Sequence, residues 1–233
     1  MKALVGENNF DRYAACRVCG IRDIVLFADL NEADLALIQR PINEKVYQPG
    51  DILFSSGQSG ETVFTVRKGL VKLVQFMPDG NQRIVRLLRP GALAGIEVLL
   101  GGPYENMAVV LQETTVCEIP VSVVRQLERE TPRLQGQILA RWHQTVRESE
   151  QWLSELSTGN AKGRVARLFL YLLHDGDDRC RLFSREDVGA MLGITTETAS
   201  HTIAQFKRDG VVLENSRNNF QCNLAELREI SGY

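Results

Sequence analysis

Cys16 and Cys19 form a Cys-x-x-Cys pair near the start of the chain, and they are two of five cysteines in 233 residues. An odd count disfavours a framework of structural disulfides, and leaves free thiols, metal ligation and redox exchange open. A second group lies in the segment 183–212. There Thr196, Glu197, Ser200, His201 and Ala204 share one face of a helical pattern, with Ala199, Ile203 and Phe206 on the opposite, apolar face. Glutamate accepts from the cytosine amino group, serine and threonine donate or accept, and an imidazole donates to purine N7 or O6. That face is therefore suited to reading base edges in a major groove. Lys207, Arg208 and Lys162 supply cations for phosphates, which position a domain on DNA without carrying sequence information.

The elements needed to hold that face outward are written on either side of it. Ser184 is an N-cap with Asp187 three residues on, a capping-box pattern in which the acid returns to the cap N–H. Val188, Met191 and Leu192 give the first helix an apolar face, Gly193 suits a tight turn that needs positive φ, and Thr195 caps the second helix. Beyond it, Val211 to Leu213 and Phe220 to Cys222, joined through residues 215–219, read as a β-hairpin. Helix, turn, helix and hairpin together make a winged helix-turn-helix.

Upstream, short β-rich runs at Asp51–Phe54, Thr62–Val66, Leu70–Phe76, Arg83–Leu88, Ala108–Leu111 and Val116–Ile119 are separated by turn signals such as Pro49-Gly50, Lys68-Gly69, Pro78-Asp79-Gly80 and Pro90-Gly91. Many short strands at about 8 to 12 residue spacing indicate a sandwich or jelly roll. From Thr131, suited to an N-cap and followed by Pro132, the period becomes helical. Leu139, Trp142, Val146, Ser149, Leu153 and Leu156 then fall on one stripe, read as a dimer seam, with packing on the chain's own β domain as the lesser alternative. Ser149 leaves that stripe uncharged, so a dimer is expected even without a signal. Ser157-Thr158-Gly159-Asn160 interrupts the pattern and marks a hinge. The expected architecture is α+β: a cysteine-containing segment and β-roll sensor over 1–130, a dimerisation helix over 131–158, and a DNA-binding winged helix over 159–233.

The net charge of −2 means that any basic footprint must be local. No stretch approaches the roughly 20 apolar residues of a membrane span, and the first residues lack the apolar core of a secretory signal, so a cytoplasmic protein is expected. Cys180 reads as part of a polar loop beside Asp177 and Asp178, Cys222 as part of the hairpin, and neither has an evident partner. His143 follows the stripe position Trp142, and His174 reads as a helix end.

The order of β roll, long helix and winged helix resembles the superfamily of the cyclic-AMP receptor protein and the fumarate-nitrate reduction regulator (CRP/FNR) across nearly the whole chain. The residues that carry the resemblance are Asp79-Gly80, Arg89-Pro90-Gly91, Val116-Cys117-Glu118-Ile119-Pro120 and the run from Leu192 to Ser200. The resemblance implies a homodimeric transcription regulator on a palindromic promoter site, with a roll that senses a signal and touches RNA polymerase. Cyclic-nucleotide binders of the superfamily carry Gly-Glu, then Arg-Ser about ten residues on. The matching positions here are Gly95-Ile96 and Asn106-Met107, so a phosphate lacks its strongest partner and cyclic AMP is not expected.

The oxygen-sensing branch binds a 4Fe-4S cluster through cysteines, and Cys16, Cys19 and Cys117 fall on three of its ligand positions. Val25 stands at the fourth. Asp23, or with less support Asp11, would have to supply an oxygen ligand in place of the fourth thiolate that such a cluster ordinarily has. Another metal, thiol redox exchange, haem-based nitric oxide sensing, an unidentified small-molecule effector and purely structural cysteines stay open beside it. In the reading helix the branch has Glu-x-x-Ser-Arg where this chain has Glu197, Ser200 and His201. TTGAT-like half-sites are thus a starting point, with altered specificity expected because imidazole makes fewer bonds to guanine than guanidinium. A cupin-type enzyme is the competing class, since it shares the jelly roll. It would need a histidine and carboxylate metal cluster within residues 41–120, a span without histidine, and the chain is not read as an enzyme.

Overall fold

The computed structural model describes Gly20 and residues 25–38, 41–173 and 177–232. Cys16, Cys19, Asp11, Asp23 and His174 lie outside the described residues. Contacts divide the chain into two compact units, one of residues 1–74 and 87–145, the other of 75–86 and 146–233.

The first unit opens with α1 (Glu32–Ala36), whose cap Asn31 and Asp34 bond reciprocally in a capping box. The strands β1 (Asn43–Tyr47), β2 (Ile52–Phe54), β3 (Thr62–Phe76), β4 (Gln82–Leu88), β5 (Leu93–Ala94) and β6 (Met107–Pro120) follow, with a 3-10 turn at Ile96–Leu100 before β6; the end of β3 and most of β4, within residues 75–86, belong to the second unit. β6 pairs antiparallel with β1, β2 and β3, and β3 also pairs with β4 and β5. The expected roll is present, but two pairs of expected strands are each one long strand. Lys68-Gly69 does not end β3. Gly69 instead sits at φ 93°, inside a stretch of shifted register against β6. A Cβ there would collide with the Glu113 carbonyl oxygen, while the Thr114 hydroxyl accepts the Leu70 N–H at 3.0 Å. Glycine in a strand commonly marks such a bulge, which bends a strand without ending it.

The next difference is at Thr131. Sequence reading missed α2 (Val121–Glu130), and Thr131 is the C-cap of that helix, with its N–H on the Leu127 carbonyl. The long helix α3 begins two residues later and spans Arg133–Leu156. Its first turns bury Leu134 and pack Ile138 and Trp142 on the core of the roll. The helical pattern does break at residues 157–160, where Gly159 has φ 80°. The boundary between contact units nevertheless lies within α3, at Thr145 and Val146, and not at that break.

The second unit holds the last part of α3, then α4 (Ala161–Leu172), β7 (Arg179–Arg181), α5 (Arg185–Leu192), α6 (Thr196–Arg208), β8 (Val212–Ser216), β9 (Asn219–Cys222) and α7 (Leu224–Ser231). Phe169, Phe206 and Phe220 are its largest fully buried side chains, and the Phe169 and Phe220 rings meet edge-on at 5.4 Å. Burying each ring contributes about 2 to 3 kcal/mol. α4 packs on α7, a helix that sequence reading missed although Asn223 and Glu226 mark its start: Asn223 Oδ1 accepts the Glu226 N–H and Asn223 Nδ2 donates to the Glu226 carboxylate.

Candidate nucleic-acid interface

The reading head is built from caps and two close approaches. Ser184 Oγ accepts the Asp187 N–H at 3.0 Å and donates to the Asp187 carboxylate at 2.8 Å, so cap and acid lock together through the hydroxyl. At the other end of α5, Gly193 takes the left-handed conformation, φ 61° and ψ 44°. Ile194 N–H then bonds the Gly189 carbonyl at 3.1 Å. Gly189 is constrained as well, because a Cβ on it would stand 2.7 Å from the Ile194 carbonyl oxygen. Helix and turn approach too closely there for any side chain. Thr195 Oγ1 accepts the Thr198 N–H at 3.1 Å and starts α6.

Helix α6 is amphipathic in the sense its sequence implies. Ala199, Ile203 and Phe206 are buried, as is Thr202, whose hydroxyl donates to the Thr198 carbonyl at 2.8 Å. Thr196, Glu197 and His201 are exposed, with Ser200 and Ala204 half-buried between them. Glu197 lies in the first turn, where its own N–H and the Thr195 hydroxyl hold its carboxyl below the ordinary 4.5. The exposed acid is thus ionised at neutral pH and acts as an acceptor, the state a cytosine amino group requires.

The cations are less free than sequence alone implies. Lys207 Nζ donates to Glu214 Oε2 of β8 at 2.5 Å, and Glu214 Oε1 accepts the Asn218 N–H at 3.0 Å. Arg208 donates to Gln205, which in turn donates to Asp209. Lys162 is exposed and lies 6.0 Å from the centre of the Phe206 ring. The wing itself is longer than expected: β8 and β9 extend to Ser216 and Asn219, leaving a turn of Arg217 and Asn218, with Asn218 at φ 60°. Asparagine tolerates that region better than most residues. A third strand, β7, completes the sheet in the order β7-β9-β8. Cys180 is therefore not in a polar loop. It is buried on β7, with its Sγ 3.9 Å from Cys222 Sγ, because pairing of Cys180 with Phe220 puts Cys222 on the same face.

Comparison with known proteins agrees with this geometry. Residues 163–230 match the family model described as the Crp-like helix-turn-helix domain, and residues 44–131 that of the cyclic nucleotide-binding domain. The chain is 27% identical to the fumarate and nitrate reduction regulatory protein of Vibrio cholerae over 226 residues, covering 93% of this chain and 90% of that one. It is 28% identical to the anaerobic regulatory protein of Haemophilus influenzae over 229 residues, 93% and 88% of the two chains. The fold is that of a CRP-family transcriptional regulator from Thermus thermophilus (TM-score 0.72, 21% identity, 81% and 97% covered). It is equally similar to FixK2 from Bradyrhizobium japonicum (TM-score 0.72, 23% identity, 81% and 96% covered).

The chain belongs to the CRP/FNR family.

As a CRP/FNR regulator it binds DNA through the winged helix and is not an enzyme. In the roll, Ile96 and Asn106 stand at the two positions where the resemblance places Glu and Arg in nucleotide binders. Ile96 is buried in the apolar core, and Asn106 is half-buried. Tyr104 fills the space between Gly60 and Gly95, where an added Cβ would meet the ring at 2.7 and 2.5 Å. The ring stacks on Phe54 at 3.9 Å and its hydroxyl donates to the Thr62 carbonyl at 2.7 Å. Of the three cysteines at the branch's cluster positions, only Cys117 is among the described residues; it is half-buried on β6, opposite Glu44 of β1 and Thr65 of β3. Val25, at the missing fourth position, is half-buried and offers only its carbonyl, which accepts from Arg141 at 3.2 Å. Val25 thus supplies no thiolate at that position. The described residues contain no group of three or more Cys, His, Asp or Glu placed to hold a metal, and among them no helix is long and apolar enough to cross a membrane.

The stripe on α3 divides into two parts. Leu139, Val146 and Leu153 are exposed at seven-residue intervals, while Trp142 and Ser149 are half-buried and Leu156 is fully buried in the chain itself. Trp152, which the stripe omitted, is also buried, edge-on to Tyr171 at 5.8 Å.

Proposed function

We propose that this CRP/FNR protein is a cytoplasmic, homodimeric regulator that reads a palindromic promoter site and responds to an oxygen or redox signal. The dimeric part rests on Leu139, Val146 and Leu153. Three large apolar side chains one heptad apart on one helix face match the seam of a helical pair, in which a second copy removes them from water. Two heads then meet two half-sites related by the same two-fold axis. Thr196, Glu197, Ser200 and His201 read bases in TTGAT-like half-sites, Lys207 and Arg208 contact phosphates, and the roll meets RNA polymerase.

The signal is assigned to Cys16, Cys19 and Cys117. The relatives' names, anaerobic regulatory protein and fumarate and nitrate reduction regulatory protein, support that assignment. Three thiolates need an oxygen ligand such as Asp23 to complete four donors for iron-sulfur or another metal. The burial of Ile96 and the Tyr104 filling of the roll support a signal other than cyclic AMP. The test is anaerobic purification, with iron, sulfide and visible absorption measured beside the shift of a promoter fragment carrying an inverted repeat. Iron and sulfide lost in Cys16→Ala and Cys117→Ala, together with lost or altered DNA binding, are expected. A colourless, metal-free protein that shifts DNA identically with and without air would overturn the cysteine assignment.

A further inference from the structure

Cys180 and Cys222 belong to neither the reading face nor the proposed sensor, yet they are the two described cysteines brought into contact. β7 and β9 pair with Cys180 opposite Phe220. Cys222 is two residues further along, so both side chains point to the buried face of the sheet as diagonal neighbours. Their sulfurs are 3.9 Å apart and both residues are buried. The backbone beneath them is held by hydrogen bonds: Cys222 N–H donates to the Asp178 carbonyl at 2.7 Å, and Gln221 Nε2 to the Asp178 carboxylate at 2.9 Å.

We propose that Cys180 and Cys222 are a redox-active dithiol that hydrogen peroxide converts to a disulfide within the winged helix. The contact has the chemistry of an attacking and a resolving thiol. The contact with its partner, and then burial, raise the Cys180 thiol, while the same contact lowers Cys222. Cys222 is thus the thiol of the pair that ionises more readily, and the one that attacks. Its sulfur attacks one peroxide oxygen, the O–O bond breaks, and the departing hydroxide takes up a proton to leave as water. The Cys180 sulfur then attacks the resulting Cys222 sulfenic sulfur, forming S–S and breaking S–O. The hydroxyl leaves as a second water with the Cys180 proton. Two thiols thus lose two electrons and two protons to one peroxide. The sulfurs need to close by about 1.9 Å to reach a disulfide length near 2.05 Å.

The position of the bond defines its consequence. Residues 180 and 222 bracket α5, α6 and the wing, so the disulfide would join the two ends of the whole reading segment. A cross-link of this span restricts the unfolded chain more than a short one does.

The test uses the full chain carrying Cys16→Ser, Cys19→Ser and Cys117→Ser, which removes the sensor cysteines and separates this proposal from the previous one. Hydrogen peroxide is added, then iodoacetamide under denaturing conditions, followed by peptide mapping. A cross-linked Cys180–Cys222 peptide two hydrogens lighter than the dithiol pair is expected, with a Tm several degrees higher. Both should revert with dithiothreitol and be absent in Cys180→Ser. The same peptide is sought in the chain with all five cysteines, so that a folding defect of the triple variant does not decide the outcome. Two alkylated thiols, or sulfinic acid on either residue without the cross-linked peptide, would overturn the proposal.

Discussion

His201 is the residue at which this reading helix departs from the branch it resembles. An imidazole offers one good bond to a guanine edge where a guanidinium offers two, and a good bidentate pair discriminates by about 1 to 3 kcal/mol. His201→Arg is therefore expected to raise preference for guanine at one position of each half-site by roughly tenfold or more, with the other positions unchanged. Binding titrations over a set of single-base half-site variants measure it, and an unchanged profile would remove His201 from the readers. Its identity and spacing were legible without coordinates, because period alone sorts α6 into a buried and an exposed face. The Lys207 contact was not legible. Glu214 lies beyond a turn, and only the fold of the wing brings it to Lys207.

At the scale of the element, that ion pair ties α6 to the wing. The Lys207 side chain and the Asn218 N–H hold the Glu214 carboxyl below the ordinary 4.5. A carboxyl depressed on folding stabilises the native state above its unfolded value and loses that contribution as pH falls through the lower folded value. The tie between α6 and wing is thus intact at neutral pH and is released as pH falls through that lower folded value. Glu214→Gln is expected to flatten the acid limb of the Tm against pH curve. It also frees the Lys207 ammonium, so DNA binding should gain about one unit in the slope of log K against log salt. An unaltered salt slope would mean that Lys207 reaches no phosphate. Strands were read with the right period but the wrong punctuation: Gly69 signals a bend equally well whether a strand stops or bulges, and Thr114, far along the chain on β6, is what resolves it. The Thr131 cap was misplaced for a similar reason, since a threonine before Pro132 suits the end of α2 as well as the start of α3.

For the whole molecule, the exposed heptad on α3 is an apolar face that the described residues leave uncovered. Leu139 and Leu153 are 71% and 63% exposed, a poor arrangement for two leucines unless a second copy covers them. Leu139→Glu combined with Leu153→Glu is expected to give a folded monomer by sedimentation, with an unchanged circular dichroism spectrum and about 100-fold or more weaker binding to a two-half-site operator, since the linkage of the two heads is lost. A dimer that survives both charges would place the seam elsewhere. Sequence spacing located the stripe but assigned all six positions to one partner. Packing divides them: Leu156 belongs to the chain's own core, and Trp142 lies against the roll.

The sequence by itself determined the class of this protein, because caps, glycine turns and hydrophobic period are local properties, and their order along the chain is that of a CRP/FNR regulator. Set beside the family it resembles, it also carries Asn106 where nucleotide binders have arginine and Val25 where the oxygen-sensing branch has cysteine. What only the tertiary structure decided are the pairings between residues distant in the chain: Lys207 with Glu214, Tyr104 in the space beside Gly60 and Gly95, and Cys180 with Cys222. Those depend on strand register and on which faces are buried together. A strand displaced by one residue presents every side chain to the opposite face, so a contact such as the two thiols exists only once the register is set. The helix-turn-helix was therefore readable as a motif, whereas the dithiol behind it appeared only when β7 joined the wing.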